Sequence, residues 1–276
     1  MTEAPDAPER IAKRLSRAGV ASRRDAERMI AEGRVRLNGR VLATPAVTVT
    51  DADRIEVDGK PLAAPEPPRL WRYHKPAGLV TSARDEKGRE TVFDRLPPGM
   101  PRVQSVGRLD LNSEGLLLLT NDGELKRRLE LPSTGWTRKY RVRAHGAASE
   151  AALDRLRRGV ELDGERFRPM TVTLDRIQGA NSWLTIGLRE GKNREVRRAL
   201  ESVGLAVNRL IRVSYGPFQL GDLPEGAVDE VKAKVLADQL GLSQAGWAQK
   251  GSTAAPAPRK TPGAPAGGRH ARRREA

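Results

Sequence analysis

Arg108 and Asp110, a cation and a carboxylate separated by one leucine, have the residue types and the spacing of a candidate catalytic pair. In an extended segment successive side chains point to opposite faces, so these two would share one face while Leu109 and Leu111 occupy the other. A run of four leucines begins at Leu116 and requires burial. The carboxylate would therefore lie at the edge of a core element, which holds a catalytic group rigidly. Taken alone, an aspartate in such a turn also fits a helix cap or an exposed loop.

The composition narrows the classes of partner. Lys and Arg number 50 against 35 Asp and Glu, which gives the 276-residue chain a formal net charge of +15. Clustered cations displace the counterions around phosphates, so nucleic acid is the expected partner. A membrane surface would need an amphipathic basic helix or a long apolar span, and neither is apparent. The polar start MTEAPDAPER lacks the apolar stretch of a secretion signal, which predicts a cytoplasmic protein.

Metal and thiol chemistry are not expected. The chain has no cysteine, which excludes disulfides, thiolate catalysis and cysteine-based zinc sites. Its three histidines, His74, His145 and His270, are scattered along the sequence. We therefore predict neither a metal centre nor a cofactor.

The N-terminal part, residues 10–60, predicts a small helix-helix-hairpin module. RIAKRLSRAGVASRRDAERMI has apolar residues at helical spacing, with an interruption at Gly19 and a new start after Ser22. The hydroxyl of Ser22 suits a helix start, where unpaired backbone N-H groups need an acceptor. EGRVRLNGRVL then alternates around Asn38-Gly39, a dipeptide favoured in tight hairpin turns.

The rest of the chain predicts a larger α+β domain over residues 69–242. WRYHKPAGLVTS, GLLLLT, RKYRVRA, RPMTVTLDRI, SWLTIGL and VNRLIRVSYG have the pattern of strands, and SEAALDRLRRG, NREVRRALESVG and DEVKAKVLADQL that of helices. Hairpin-like turns such as 162–165 favour a largely antiparallel, mixed sheet flanked by helices. A proline-rich linker is expected at 61–68, a flexible N-terminus at 1–9 and a disordered basic tail at 243–276.

The first module resembles S4-type RNA-binding domains in RLSRAGVASRRDAE and IAEGRVRLNGR. The resemblance implies an RNA-binding face. A charge run of this kind is otherwise an ordinary solvated surface. The arginines predicted to form the face are Arg14, Arg17, Arg23, Arg24, Arg34, Arg36 and Arg40.

The larger domain resembles ribosomal RNA pseudouridine synthases, in the family that comprises the A-type synthases of the small ribosomal subunit and the B-type synthases of the large one. GRLDLNSEGLLLLTNDGEL is similar to their central motif, HKPAGLVTS to their first, RKYRVR to their active-site tyrosine motif and LREGKNREVRRALESVG to their third. LIRVSYGPFQLGDLPEG follows in the same order. EGKNREVRR with VNRLIRVSYG is closest to the B-type branch, whose target is a uridine near the peptidyl transferase centre of large-subunit RNA. The small-subunit branch remains an alternative.

The resemblance also implies residue roles. Asp110 corresponds to the essential catalytic aspartate, which either attacks the ribose or abstracts a sugar proton. Lys192 corresponds to the basic residue that pairs with it, and Tyr140 to the tyrosine that packs against the target base. Arg108 is the candidate to fill the space that the extruded uridine leaves. Three cations on the helix predicted to begin near Asn193 are expected to contact RNA phosphates: Arg194, Arg197 and Arg198.

Two other functions stay open on sequence alone. A noncatalytic ribosome-assembly factor would explain the charge and the first module. A glycoside hydrolase would need a second carboxylate about 5 to 10 Å from the first, for which Glu114 and Asp122 are candidates. The expected partner is ribosomal RNA or a pre-ribosomal particle, and the expected state is a monomer.

Overall fold

The computed structural model describes residues 8–241, so the predicted tail over 243–276 and the first seven residues of the predicted flexible N-terminus lie outside the described part. The elements of the N-terminal module are β1 (Glu9–Arg10), α1 (Ile11–Arg17), α2 (Arg23–Ala31), β2 (Val35–Leu37), β3 (Arg40–Val41), β4 (Thr48–Val49), β5 (Ile55–Val57) and β6 (Lys60–Pro61).

The larger domain follows with seventeen elements, including two short 3-10 helices. They are β7 (Leu70–Lys75), a 3-10 helix (Val92–Arg95), β8 (Gln104–Val106), β9 (Glu114–Thr120), α3 (Gly123–Glu130), a 3-10 helix (Pro132–Thr134), β10 (Arg138–His145), α4 (Glu150–Arg158), β11 (Val160–Leu162), β12 (Glu165–Phe167), β13 (Thr171–Gln178), β14 (Asn181–Leu188), α5 (Glu195–Glu201), β15 (Ala206–Tyr215), β16 (Phe218–Gln219), β17 (Val228–Glu230) and α6 (Ala233–Gln239).

The N-terminal module has the predicted two helices and hairpin. The Ser22 side chain accepts the backbone N-H of Asp25 and so caps α2. Asn38 and Gly39 both have positive φ, 51° and 83°, and close the hairpin between β2 and β3. A separate hydrophobic core, which includes Ile11 and Ile30, holds the helices on the small sheet.

The edges of this module differ from the predicted boundaries. Glu9 is buried in β1, and its carboxylate lies within 3.4 Å of a side-chain nitrogen of each of three cations, Lys13, Arg14 and Arg17. A carboxylate paired with three cations is part of the fold, so the N-terminal module includes residue 9. At the other end Pro61 is still paired with Glu56, and the extended connection begins after it.

The larger domain is built on a nine-stranded mixed sheet, as the α+β prediction requires. Seven strands run in the order β13-β14-β10-β15-β9-β7-β17, while β8 pairs with β9 and β16 with β15. Every pair in this sheet is antiparallel except β9 with β15. The predicted turn at 162–165 is present, with β11 and β12 paired through Leu162 and Glu165.

Each face of this sheet carries a different core. On one face α4 and α5 share a hydrophobic core with β10, β13 and β14, which includes Leu156, Leu200, Val142 and Leu184. On the other face α3 and α6 cover the region of β7, β9 and the end of β15. Because strand residues alternate between faces, the leucines of β9 divide between the two cores, with Leu117 in the first and Leu116 in the second.

Two helix predictions need correction. Residues 123–130 form α3, for which the sequence predicted no helix; the Asp122 carboxylate accepts the N-H groups of Glu124 and Leu125 and starts it. The helix predicted from Asp229 begins only at Ala233. Residues 228–230 pair with β7 instead, because the edge of the sheet offers them backbone partners.

The two domains touch through polar groups. Lys13 donates to the Glu124 carboxylate at 2.5 Å, and a guanidinium nitrogen of Arg84 lies 3.5 Å from the Asp25 carboxylate. Arg102 donates to the carbonyl of Ala21 at 3.0 Å. The hydrophobic core of the N-terminal module shares no residue with the two cores of the larger domain.

Within residues 8–241, no helix combines the length and the hydrophobicity that crossing a bilayer requires.

The parallel contact between β9 and β15 requires a glycine at position 115. Gly115 has a φ of 99°, and a Cβ there would lie 2.3 Å from the carbonyl oxygen of Arg212. Both the backbone conformation and the close approach exclude a side chain.

We expect Gly115→Ala to lower the free energy of unfolding by about 3 kcal/mol or more, because it adds a backbone clash to an unfavourable φ. Gly59 is the control, since it also has a positive φ, 75°, but open space around its Cβ. Gly59→Ala should cost only about 1 to 2 kcal/mol. Urea unfolding of the two variants gives the comparison, and equal costs would contradict the close approach.

Candidate active site

Asp110 lies in a loop between β8 and β9, not in the extended strand that its sequence predicted. The backbone N-H of Ser113 donates to the carbonyl of Asp110 at 3.0 Å and closes a turn. Leu109 is buried below it, as expected, whereas Leu111 is only half-buried. The side chain of Asp110 is 34% exposed. The loop therefore presents the carboxylate to solvent from the edge of the core.

The segment HKPAGLVTS forms the support of this loop. Thr81 donates its hydroxyl to the carbonyl of Leu109 at 2.8 Å, and Gly78 donates its N-H to the carbonyl of Leu111 at 2.8 Å. These bonds fix the backbone on both sides of Asp110.

Lys75 is the strongest part of that support, and sequence reasoning did not single it out. Its fully buried ammonium donates to the carbonyls of Pro76 and Ser113, both at 2.9 Å, and is 3.4 Å from that of Leu111. Burial lowers the pKa of Lys75 to about 8, while the charges of Asp110 and Glu114 act in the opposite direction. A buried cation thus bonds backbone carbonyls beside the candidate catalytic carboxylate.

Arg212 supports the loop from the other side. Its buried guanidinium donates to the carbonyl of Leu116 at 2.7 Å and to that of Arg108 at 3.4 Å. Arg212 also pairs in register with Tyr140 on β10. Because paired residues of antiparallel strands face the same side, Tyr140 lies on the face from which Arg212 contacts the Asp110 loop.

The cation next to Asp110 is Arg194, and the predicted pairing of Lys192 with Asp110 is not what the structure shows. A guanidinium nitrogen of Arg194 lies 3.8 Å from the Asp110 carboxylate. Lys192 instead donates to the carbonyl of Arg166, and its ammonium is 3.7 Å from the Glu165 carboxylate. Arg194 is the residue immediately before α5 and has a positive φ of 49°.

The other two cations predicted on α5 have partners within the protein. Arg197 donates to the carbonyls of Asn112 at 2.9 Å and Val207 at 3.1 Å. Burial and the neighbouring charge of Arg194 lower the pKa of Arg197, against the charge of Asp110. Arg198 pairs with Glu165 and lies over the ring of Phe167. Arg197 thus positions the loop, and Arg198 is engaged away from it.

Arg108 has the freedom that a wedge residue would need. Its side chain is exposed, and among residues 8–241 no carboxylate pairs with it. Tyr140, by contrast, is almost buried in the core face of β10.

The arginines predicted on the N-terminal face separate into two groups. Arg14 is buried and pairs with Glu9 and Asp51, so its role is structural, contrary to the prediction. Arg17 pairs with Glu9, and Arg34 forms a two-bond pair with Asp58. The exposed members for which the described residues provide no carboxylate partner are Arg23, Arg24, Arg36 and Arg40.

The candidate second carboxylates of a glycoside hydrolase are both engaged. Glu114 pairs with Arg209 at 2.8 Å, and Asp122 caps α3. Between residues 8 and 241 no group of three or more His, Asp or Glu side chains could hold a metal ion.

A pair of carboxyl groups lies at the start of α5. Glu195 is buried, and its carboxyl is hydrogen-bonded to that of Glu190; burial and this contact raise the pKa of Glu195 well above its ordinary value of 4.5. The backbone N-H of Lys192 donates to the Glu195 carboxylate at 3.0 Å, and this bond favours a lower pKa of Glu195. Both carboxyls line a cavity of about 520 Å³ that Arg168 and Arg189 also border.

The site can be compared with known proteins. A family model described as RNA pseudouridylate synthase matches residues 69–202, and one described as S4 domain matches residues 9–55. An uncharacterized RNA pseudouridine synthase of Rickettsia felis is 48% identical over 83% of this chain and 99% of its own length. Ribosomal large subunit pseudouridine synthase B of Yersinia pestis is 42% identical over 82% of this chain and 73% of its own length.

A solved structure has the same fold. The crystal structure of a pseudouridylate synthase superposes with a TM-score of 0.58 at 24% identity, covering 83% of this chain and 99% of that one. Fold and domains together define an RNA-binding enzyme. The chain belongs to the RNA pseudouridine synthase family, in a branch similar to ribosomal large subunit pseudouridine synthase B, and carries an S4 domain at its N-terminal end.

We expect Lys75→Met to slow pseudouridine formation by about 10- to 100-fold at saturating RNA, because a loop displaced by a fraction of an ångström misaligns Asp110. RNA affinity should stay close to that of the wild type, since Lys75 is buried. Single-turnover rates and filter binding separate the two effects. Lys234→Met, at an exposed lysine of α6, is the control, and an unchanged rate in Lys75→Met would contradict the positioning role.

We expect Glu195→Gln to change how stability depends on pH. Because the folded state keeps the Glu195 proton to a higher pH than the unfolded state does, folding takes up a proton, and wild-type stability falls as pH rises above 4.5. The glutamine cannot ionise and can still donate to Glu190. The variant should therefore gain about 1 to 3 kcal/mol over wild type between pH 5 and pH 8.

Urea unfolding at several pH values measures this difference. Glu161→Gln, at an exposed position, should follow the wild-type curve. Parallel wild-type and Glu195→Gln curves would show that the carboxyl pair shares no proton.

Proposed function

We propose that this enzyme isomerises a specific uridine of large-subunit ribosomal RNA, near the peptidyl transferase centre, to pseudouridine. The observation that carries the proposal is the 42% identity with ribosomal large subunit pseudouridine synthase B over 82% of the chain. The same stretch includes Asp110, its supporting segment 75–81 and the turn that brings Arg194 to the carboxylate. Action on small-subunit RNA is the alternative that the experiment below separates.

The reaction conserves every atom of the uridine. The bond between N1 of uracil and C1′ of ribose breaks, the base rotates, and C5 bonds to C1′; C5 then loses its proton and N1 gains one. Asp110 is the proposed catalytic residue, either as a nucleophile at the ribose or as the base that removes a sugar proton. Its position in a rigid, partly exposed loop supports both routes.

Base extrusion precedes chemistry in this proposal. A uridine within folded RNA must leave its stack, which costs a few kcal/mol unless another group fills the gap. Arg108, exposed and two residues from Asp110, has a planar guanidinium suited to that space. Tyr140 is proposed to pack against the extruded uracil, and Arg194 to contact the flanking backbone when the RNA enters.

The S4 domain is proposed to hold the substrate through the exposed arginines Arg23, Arg24, Arg36 and Arg40. Ribosomal RNA or a pre-ribosomal particle in the cytoplasm is the proposed substrate, and a monomer the proposed state. The charge of the chain and the exposure of these side chains support the assignment of RNA as the partner of this face.

Pseudouridine mapping on unmodified large-subunit and small-subunit ribosomal RNA tests the proposal. Wild type should create one new site in the large-subunit RNA, and Asp110→Asn none, a loss of about 10⁴-fold or more in rate, as expected when a residue that acts directly in the chemistry is removed. RNA affinity of Asp110→Asn should be nearly unchanged. Asp163→Asn, in the exposed turn before β12, is the matched control and should retain activity.

A new site in the small-subunit RNA alone would assign the other branch. If neither naked RNA is modified, pre-ribosomal particles are the next substrate. Failure with these as well would favour a noncatalytic RNA-binding role.

A further inference from the structure

Within residues 8–241, no helix covers one face of the β13-β14-β10 part of the main sheet, the face opposite α4 and α5. Tyr140, Val142 and Ala144 of β10 point into the helix-covered core. The residues that alternate with them along β10 point to the opposite face and are exposed: Lys139, Arg141, Arg143 and His145. Helices α3 and α6 also pack on this side, but no residue of β10, β13 or β14 belongs to their core.

This open face is rich in cations. The register places Arg143 opposite Trp183 of β14 on one side and opposite Arg209 of β15 on the other. Trp183 in turn pairs with Arg176 of β13. We call the set of Lys139, Arg141, Arg143, Arg176 and Trp183 the open basic face.

The tryptophan organises the cations. The guanidinium of Arg141 lies 5.0 Å from the centre of the Trp183 ring, and that of Arg176 lies 5.5 Å from it. Cation-π contacts of this kind hold guanidiniums in place without neutralising their charge. Because guanidiniums lie over the ring, the face offers cations to a ligand and not an open platform for stacking a base.

The cations lack the partners that many others in this protein have. Arg34 pairs with Asp58, Arg69 with Glu230 and Arg89 with Asp85. Among residues 8–241 no carboxylate forms an ion pair with any cation of the open basic face. The nearby Asp175 accepts the hydroxyl of Thr185 instead.

The charges of this face are not compensated within the described residues. Arg143 lies opposite Arg209 of β15, but Arg209 pairs with Glu114, so its charge is offset and it adds little repulsion. Among residues 8–241 the cations of the open basic face have no such carboxylate partner. A polyanion bound across the strands would compensate them, and phosphate groups fit guanidiniums especially well.

We propose that the open basic face is a second RNA-binding surface, which contacts the phosphate backbone of RNA flanking the target uridine. It lies on the opposite side of β10 from Tyr140, so an RNA bound at both places must pass around the edge of the sheet. Long substrates would therefore gain affinity that a minimal stem-loop does not. The inference rests on the proposed ribosomal RNA substrate.

The test compares three variants of the full chain for binding to long and short fragments of ribosomal RNA. The first replaces Arg141, Arg143 and Arg176 by glutamine. A charge-matched control replaces Arg89, Arg95 and Arg157, which have carboxylate partners, by glutamine. A third variant replaces the first three arginines by lysine and keeps their charge.

For long RNA we expect the first variant to lose about 10-fold or more in affinity at physiological salt, and the slope of log Kd against log salt to fall by about 2 to 3. The control should lose much less. The lysine variant should keep the wild-type salt slope. Binding of the short stem-loop and the rate of modification at saturating RNA should be unchanged in all three.

Equal losses in the first variant and the control would mean that only total charge matters, and would overturn the proposal. Unchanged affinity for long RNA would also overturn it and favour an acidic protein as the partner of this face. Far-ultraviolet circular dichroism verifies that each variant is folded. Because the assay measures binding and not turnover, its result is independent of whether Asp110 modifies this RNA.

Discussion

Buried and half-buried cations bonded to backbone carbonyls hold the loop on which Asp110 lies, and the rest of the candidate active site depends on them. Lys75 and Arg197 place their charges against the carbonyls of residues 111 to 113, and Arg212 does the same at residue 108. Burying a charge is costly unless it is hydrogen-bonded. Since the carbonyls accept hydrogen bonds from these cations without cancelling their charge, the loop is both held in place and surrounded by positive potential, which suits the proposed approach of its carboxylate to RNA.

The same sheet serves two different surfaces because its strands alternate. On β10, Tyr140, Val142 and Ala144 point into the core on the side from which Arg212 contacts the Asp110 loop, and Lys139, Arg141 and Arg143 face away. One strand of eight residues thus connects the candidate active site with the open basic face. Because substitutions on one face leave the packing of the other largely intact, we expect catalysis and RNA affinity to vary separately.

Strands and site differ in how far the sequence could predict them. The alternation of apolar and polar residues predicted β10 and β14, and turn sequences that contain glycine, such as Asn38-Gly39, predicted the hairpins. Helix α3 was missed because its eight residues carry few apolar side chains, although Asp122 was a usable capping signal. Arg194, and not Lys192, lies beside Asp110 because of how the turn before α5 packs against the loop, which is a tertiary contact. The role of Lys75 depends on the burial of a residue type that is rarely buried. Neither is encoded in local spacing.

The contacts between the S4 domain and the larger domain have a consequence for the shape of the molecule. Among residues 8–241 they include two ion pairs and a hydrogen bond to a carbonyl, while each domain keeps its own apolar core. Exposed ion pairs weaken as salt screens them, whereas apolar cores do not. The angle between the domains should therefore vary with ionic strength well before either domain loses stability, which makes the span between the two RNA-binding regions an adjustable length.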